Sequence, residues 1–194
     1  METISANHSQ YDFPYGASSC TSAAVLFARY SLEKVPGVDD LDKILEAAAL
    51  LWQKWKSSDP NAHCFQTWKN VVDTFPRTFA EVEIIHESNG YIGTRDLPPE
   101  EFLFTTVEEC IEKMHDNAPC SAVITCASSS FALCFRDEYY YFFDSHGCSK
   151  TNGNAYILRM QTRGELEDFV QANLSHVEFT ALIIQKQTSC RSDT

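Results

Sequence analysis

Three short apolar runs stand close together past the middle of the chain: Ala122 to Cys126, Phe131 to Phe135 and Tyr139 to Phe143. Runs this short, aromatic or β-branched and parted by a few polar residues, are strands, and Arg136-Asp137 predicts a tight antiparallel hairpin between the last two. The third run continues as Phe142-Phe143-Asp144-Ser145-His146-Gly147. Alternate residues of a strand point to one face, so Asp144 and His146 emerge side by side at its C-terminal end. A carboxylate there can accept the imidazole N–H, set the tautomer and stabilise the imidazolium. Gly147 lets the chain turn away and leaves the histidine open.

Such a pair lacks only a nucleophile. Ser18 and Ser19 are good N-caps for a helix over Cys20 to Leu32 whose residues are nearly all small or apolar. A helix apolar on every side is buried on every side, which puts Cys20 in the first turn of a central helix. A thiol becomes nucleophilic when its pKa falls, and a helix N-terminus and a facing histidine both lower it. The remaining need is an oxyanion hole. The Cys20 N–H is one donor, and Gln10, the sole glutamine before position 53, can supply a side-chain amide.

The rest of the chain reads as cover for that sheet. Asp39 or Asp40 caps a longer helix with an apolar stripe at Leu41, Ile44, Leu45, Ala48, Leu51, Trp52 and Trp55, ended by Asp59-Pro60-Asn61. Phe65, Trp68, Val72 and Phe75 mark a third helix, stopped by Pro76. Val82 to Ile85 is a short strand, and Asn89-Gly90 and Pro98-Pro99 punctuate a loop. Thr105-x-x-Glu108 is a capping box for a helix with Val107, Cys110, Ile111 and Met114 inward, and Thr162-x-x-Glu165 caps another with Leu166, Phe169 and Val170 inward. Phe179 to Ile184 is a last strand. Met1 to Ala17 reads as an irregular lead-in that packs, and Lys186 to Thr194 as a loose tail. The class is α+β: one domain over 1–194, with a helical lobe (about 18–76, with the buried central helix) packed on a largely antiparallel sheet (about 80–186).

Composition narrows the partners. A net charge of −12 argues against nucleic acid and anionic membranes and favours a basic partner. Asp96 to Asp116 holds seven carboxylates against one lysine, which makes Glu108, Glu109 and Glu112 candidates for an acidic rim. No apolar run approaches a membrane span, and Met1 to Gln10 lacks the basic-then-apolar pattern of a signal peptide. The eight cysteines (20, 64, 110, 120, 126, 134, 148 and 190) therefore read as reduced thiols in a cytosolic compartment. No CxxC spacing occurs, so no zinc site is expected. Cys120 and Cys148 have no acid or base assigned beside them, and His63, Cys64, His86, His115 and His176 read as structural or solvated. Tyr139 to Tyr141 are mainly sheet core, with outward rings able to flank a substrate channel.

A glutamine upstream of Gly16-Ala17-Ser18-Ser19-Cys20-Thr21-Ser22, with a downstream strand ending Phe143-Asp144-Ser145-His146-Gly147, resembles the deubiquitinase domain of herpesvirus large tegument proteins and their relatives. These are papain-like cysteine proteases whose acid precedes the histidine by two residues on one strand. The resemblance implies a papain-like fold, Cys20 as nucleophile, His146 as general base and acid, Asp144 as its orienting acid and Gln10 as oxyanion donor. It implies ubiquitin or polyubiquitin as partner, bound by a monomer, with Ser19, Tyr141 and Gly147 beside the substrate channel and no cofactor required. A viral origin would place the protein in a host cell. Two other functions fit the same residues: a papain-like protease or transferase acting on a ubiquitin-like modifier or another host protein, and an acidic ubiquitin-binding module without turnover.

Overall fold

The structure is a computed structural model that describes residues 1–59, 66–92, 105–126, 128–174 and 177–187. The three apolar runs are strands β4 (Cys120–Cys126), β5 (Ser129–Arg136) and β6 (Tyr139–Asp144), paired antiparallel in sequence order. Five further strands extend the sheet: β1 (Glu2–Ser5), β2 (Val82–Ile92), β3 (Thr105–Thr106), β7 (Tyr156–Met160) and β8 (Val177–Lys186). Their order is β1-β7-β6-β5-β4-β8-β2-β3, antiparallel except for the β2–β3 pair. The helices are α1 (Cys20–Ser31), α2 (Val38–Ser58), α3 (Trp68–Thr74), α4 (Val107–Asp116) and α5 (Arg163–Leu174).

The sheet is buried on both faces because its central strands are apolar on both. Along β6, Tyr141 and Phe143 pack with α1, while Tyr140 and Phe142 face the layer formed by α4 and α5. Ala23, Ala24 and Ala28 have no exposed surface, and the small side chains let α1 lie close to the strands and to Leu41, Leu45 and Ala48 of α2. Phe27 stacks on Phe143 with centroids 4.4 Å apart and planes 3° from parallel. Both rings are fully buried, and truncating Phe27 to Ala would cost about 3–5 kcal/mol. On the other side Cys110, Ile111, Met114, Leu166 and Val170 close over Leu133, Phe142 and Ile183.

Several local expectations give way to pairing partners. The lead-in begins with β1, whose residues 2–5 pair with β7, a strand not anticipated. Asn89-Gly90 does not turn; β8 runs alongside all of β2 and holds the two residues opposite Thr180 and Phe179. Ladder hydrogen bonds here outweigh a local turn preference. The hairpin turn falls on Asp137-Glu138 (φ 51° and 64°), since Arg136 stays in the ladder opposite Tyr139. The capping box of α4 is Thr106 with Glu109, one residue later than expected, because Thr105 pairs with Gly90. Phe65, Pro98-Pro99, His63, Cys64, His176, Cys190 and the tail from 188 onward lie outside the described residues.

Candidate active site

The N-terminus of α1 and the C-terminal end of β6 meet at one end of the sheet. Cys20 opens α1, and its N-cap Ser19 makes no side-chain cap; the Ser19 hydroxyl instead donates to the Gly16 carbonyl (2.8 Å). A chain of hydroxyls pins this first turn to the hairpin below: Thr21 Oγ1 to Ser130 Oγ (2.8 Å), and Ser130 Oγ to Thr125 Oγ1 (2.9 Å). Cys20 Sγ lies 3.9 Å from the Ser128 carbonyl and is 5% exposed.

Asp144 and His146 leave β6 together, as strand alternation requires. His146 Nδ1 donates to Asp144 Oδ1 at 2.7 Å, and the His146 backbone N–H reaches the same oxygen at 2.8 Å. Tyr156 stands directly opposite Asp144 on β7, and burial, then the charge of that carboxylate, push its phenol well above the ordinary value. With Nδ1 committed to Asp144, Nε2 is the nitrogen left for the thiol. Phe131 (centroids 5.8 Å apart) and Tyr11 (6.2 Å) bracket the imidazole at a tilt. Gly147 turns the chain at φ +78°, and a Cβ there would lie 2.0 Å from the Gly153 carbonyl oxygen. Only glycine fits that approach.

The electrostatics follow from these neighbours. Burial alone would push the Cys20 thiol up, but the influence of His146 overcomes it and holds the thiol below its ordinary value. For His146 burial disfavours the imidazolium, yet the hydrogen bond to Asp144 and the influence of Cys20 raise it to about 9. Elsewhere burial acts without a histidine opposite: Cys110, Cys126 and Cys134 are pushed up to about 11 and Cys120 to about 12. Lowered thiol and raised imidazole are the marks of a thiolate–imidazolium pair.

Gln10 reaches the same end of the sheet from the lead-in. Its backbone N–H donates to the Ser145 carbonyl (3.0 Å), and its Oε1 accepts from the Ser145 hydroxyl (2.7 Å). Gly16 packs against it so closely that a Cβ would fall 1.7 Å from the Gln10 carbonyl oxygen. Gln10 is 1% exposed, and its Nε2 has no hydrogen-bond partner. A buried amide N–H left unpaired costs about 1–3 kcal/mol, so this one invites a functional explanation.

The other expected site residues are each engaged within the fold. Ser19 is fully buried with its hydroxyl turned back to Gly16, and Tyr141 is 6% exposed within the core on the α1 side of the sheet. Neither side chain faces an open channel. Gly147 abuts the backbone of Gly153 and Asn154. Glu108, Glu109 and Glu112 belong to α4, on the face of the sheet opposite α1. There Glu108 accepts from Gln171, Glu109 from the Thr106 backbone N–H (3.1 Å), and Glu112 lies 3.8 Å from Arg163. The site residues not anticipated are Tyr11, Phe131, Ser145 and Tyr156. For Tyr156 a signal was present, since Ala155-Tyr156-Ile157-Leu158 is a strand-like apolar run.

A helix-bearing lobe against an antiparallel sheet, with a cysteine at the central helix's start and a histidine at a strand end, is the papain-like architecture. A crystal structure with this fold matches the chain at a TM-score of 0.74 and 16% identity, over 99% of this chain and 90% of the other. It is the ubiquitin-specific protease encoded by murine cytomegalovirus tegument protein M48, in complex with a ubiquitin-based suicide substrate. The profile of the herpesvirus tegument protein N-terminal conserved region spans residues 7–188, and the chain belongs to that family. No curated protein is significantly similar to it in sequence.

Proposed function

We propose that the protein is a thiol-dependent deubiquitinase that hydrolyses the bond following the C-terminal Gly-Gly of ubiquitin. The observation that carries this reading is His146, hydrogen-bonded to Asp144 and acting on a Cys20 thiol held below its ordinary pKa. Membership of the tegument family and the ubiquitin-based ligand of the structural neighbour support ubiquitin as the substrate. A net charge of −12 suits a partner with a basic face.

In the proposed reaction the Cys20 thiolate attacks the glycine carbonyl carbon. The oxyanion is met by the Cys20 backbone N–H and by Gln10 Nε2, a buried donor with no partner. His146 gives its proton to the departing lysine amine, leaving a thioester. The imidazole, now neutral, takes a proton from water as it attacks the thioester; the Cys20 thiolate leaves, restoring the ion pair, and the released glycine carboxyl ionises to solvent. Asp144 holds the imidazole through Nδ1 in both halves and does not itself transfer a proton. No step calls for a cofactor.

The test is a ubiquitin whose C-terminus carries a cysteine-reactive electrophile. The expected result is an adduct heavier by one ubiquitin, at Cys20, with matched probes on ubiquitin-like modifiers reacting more slowly. Faster labelling by a ubiquitin-like probe would transfer the substrate to that modifier. No labelling by any of them would remove the protease reading.

A further inference from the structure

We propose that Ser145 is a positioning residue for the oxyanion donor: it holds the Gln10 carboxamide by its oxygen and thereby leaves Nε2 as the free donor. The proposal rests on the reading of Gln10 as part of the oxyanion hole. Its ground is a set of contacts spanning 135 residues of sequence. The Ser145 hydroxyl donates to Gln10 Oε1 at 2.7 Å, and the Ser145 carbonyl accepts the Gln10 backbone N–H at 3.0 Å. Ser145 has no exposed surface and Gln10 1%, so water does not compete for either group. Gly16, with no room for a Cβ, closes the backbone side of Gln10.

A carboxamide has two nearly isosteric ends, and a serine hydroxyl can satisfy either by donating or accepting. On the reading of Gln10 as an oxyanion donor, charge breaks the tie. A Cys20 thiolate, and still more an oxyanion formed beside it, repels an amide oxygen and attracts an amide N–H. With Ser145 acting as donor, the oxygen is retained at the strand and the N–H₂ group is left unspent, as its lack of a partner shows. The position of Ser145 in the chain makes this a coupled device. Strand alternation sends Asp144 and His146 one way and Ser145 the other. One tripeptide, Asp144-Ser145-His146, thus sets the imidazole with its acid and the oxyanion donor with its serine. No substrate contact is required of Ser145 itself.

The test is steady-state hydrolysis of a ubiquitin C-terminal fluorogenic amide by wild type, Ser145→Ala, Ser145→Cys, Gln10→Ala and the Gln10→Ala/Ser145→Ala double variant. Melting temperature and the rate of Cys20 alkylation by iodoacetamide are followed in parallel. Ser145→Ala is expected to lower kcat about tenfold with KM within about twofold and alkylation unchanged, since alkylation forms no oxyanion. Ser145→Cys, close in size but a much weaker donor, should fall between the two, and it carries the test if the alanine variant does not fold. In the Gln10→Ala background the serine change should add less than about twofold, because both act through one group. Full kcat in Ser145→Ala or Ser145→Cys, beside a lowered kcat in Gln10→Ala, would overturn the clamp alone. So would effects that multiply in the double variant. An unchanged kcat in Gln10→Ala would instead overturn the oxyanion reading beneath it.

Discussion

The first turn of α1 and the end of β4 each carry a buried thiol, and the two behave oppositely. Cys20 and Cys126 are both 5% exposed, and Cys126 is close enough to feel the charge of Cys20. Burial drives Cys126 up to about 11, and the same burial acts on Cys20. Only Cys20 has an imidazole opposite, itself raised to about 9 by Asp144 and the thiol, and that partner reverses the sign. The difference between the two thiols therefore comes from the strand end across from Cys20. Removing members of that arrangement in turn should move Cys20 stepwise toward the state of Cys126.

The largest effect is expected from the thiols themselves. Cys20→Ala should abolish both the ubiquitin adduct and turnover with the melting temperature preserved, while Cys126→Ala, Cys120→Ala and Cys148→Ala still label. An adduct that survives in Cys20→Ala and vanishes in one of the others would assign the nucleophile to that thiol. His146→Ala comes next and should be nearly inert to substrate. In wild type, alkylation of Cys20 should begin below the ordinary thiol range, and kcat/KM should then decline above pH about 9 as the imidazolium loses its proton. The sign follows from the shifts: the thiol is lowered and the imidazole raised, so the ion pair occupies the interval between them. In His146→Ala burial is opposed only by the weaker influence of Ser130 and Thr21, and the alkylation profile should move to alkaline pH, toward that expected of Cys126. A profile that stayed in place would mean that the helix terminus, not the histidine, lowers the thiol.

Asp144→Ala should retain measurable turnover, since the acid orients a base that is still present. Tyr156, opposite Asp144 on β7, is a phenol pushed up by burial and offers no base in its place. Turnover as low as in Cys20→Ala, in a variant of unchanged melting temperature, would contradict this ordering. Gln10→Ala should lower kcat by roughly ten- to a thousandfold with little change in KM, the pattern of a group engaged only in the transition state. A comparable rise in KM would move Gln10 to ground-state binding.

What could be read in advance was what repeats locally. The period of two along Tyr139 to Phe143 placed Asp144 and His146 on one side, and the small apolar residues after Cys20 placed the thiol at the start of a buried helix. The antiparallel hairpins followed from short spacing. Other features depended on partners remote in sequence. Asn89-Gly90 has good turn chemistry, yet it pairs with Thr180 and Phe179 because β8 is present to receive it. The contact of Ser145 with Gln10 and the pairing of Tyr156 opposite Asp144 arise only when the lead-in, β6 and β7 come together, and no spacing rule announces them. The carboxylates of α4 were the opposite case, prominent in sequence and engaged locally. Glu109 completes a helix cap and Glu108 holds Gln171.

That local engagement yields the smallest expected effect. Replacing Glu108, Glu109 and Glu112 together by Gln removes three charges from α4 but keeps side chains of the same length, and Gln serves in a capping box as Glu does. The ion pair of Glu112 with Arg163 spans 3.8 Å between exposed groups, the kind of contact that contributes little. Melting temperature should therefore fall by no more than a few degrees. These carboxylates sit on the sheet face opposite α1, so their field must reach a substrate at Cys20 around the sheet. At physiological ionic strength such a field is screened beyond about 8 Å. The triple variant should accordingly keep the parent's kcat, KM and salt dependence with a ubiquitin substrate. A raised KM together with a flattened salt slope, and no change toward a short peptide ending in Gly-Gly, would show that the ubiquitin body reaches over to α4. The acidic segment would then be a docking surface, and the contrast between the two faces of the sheet would be one of capture against chemistry.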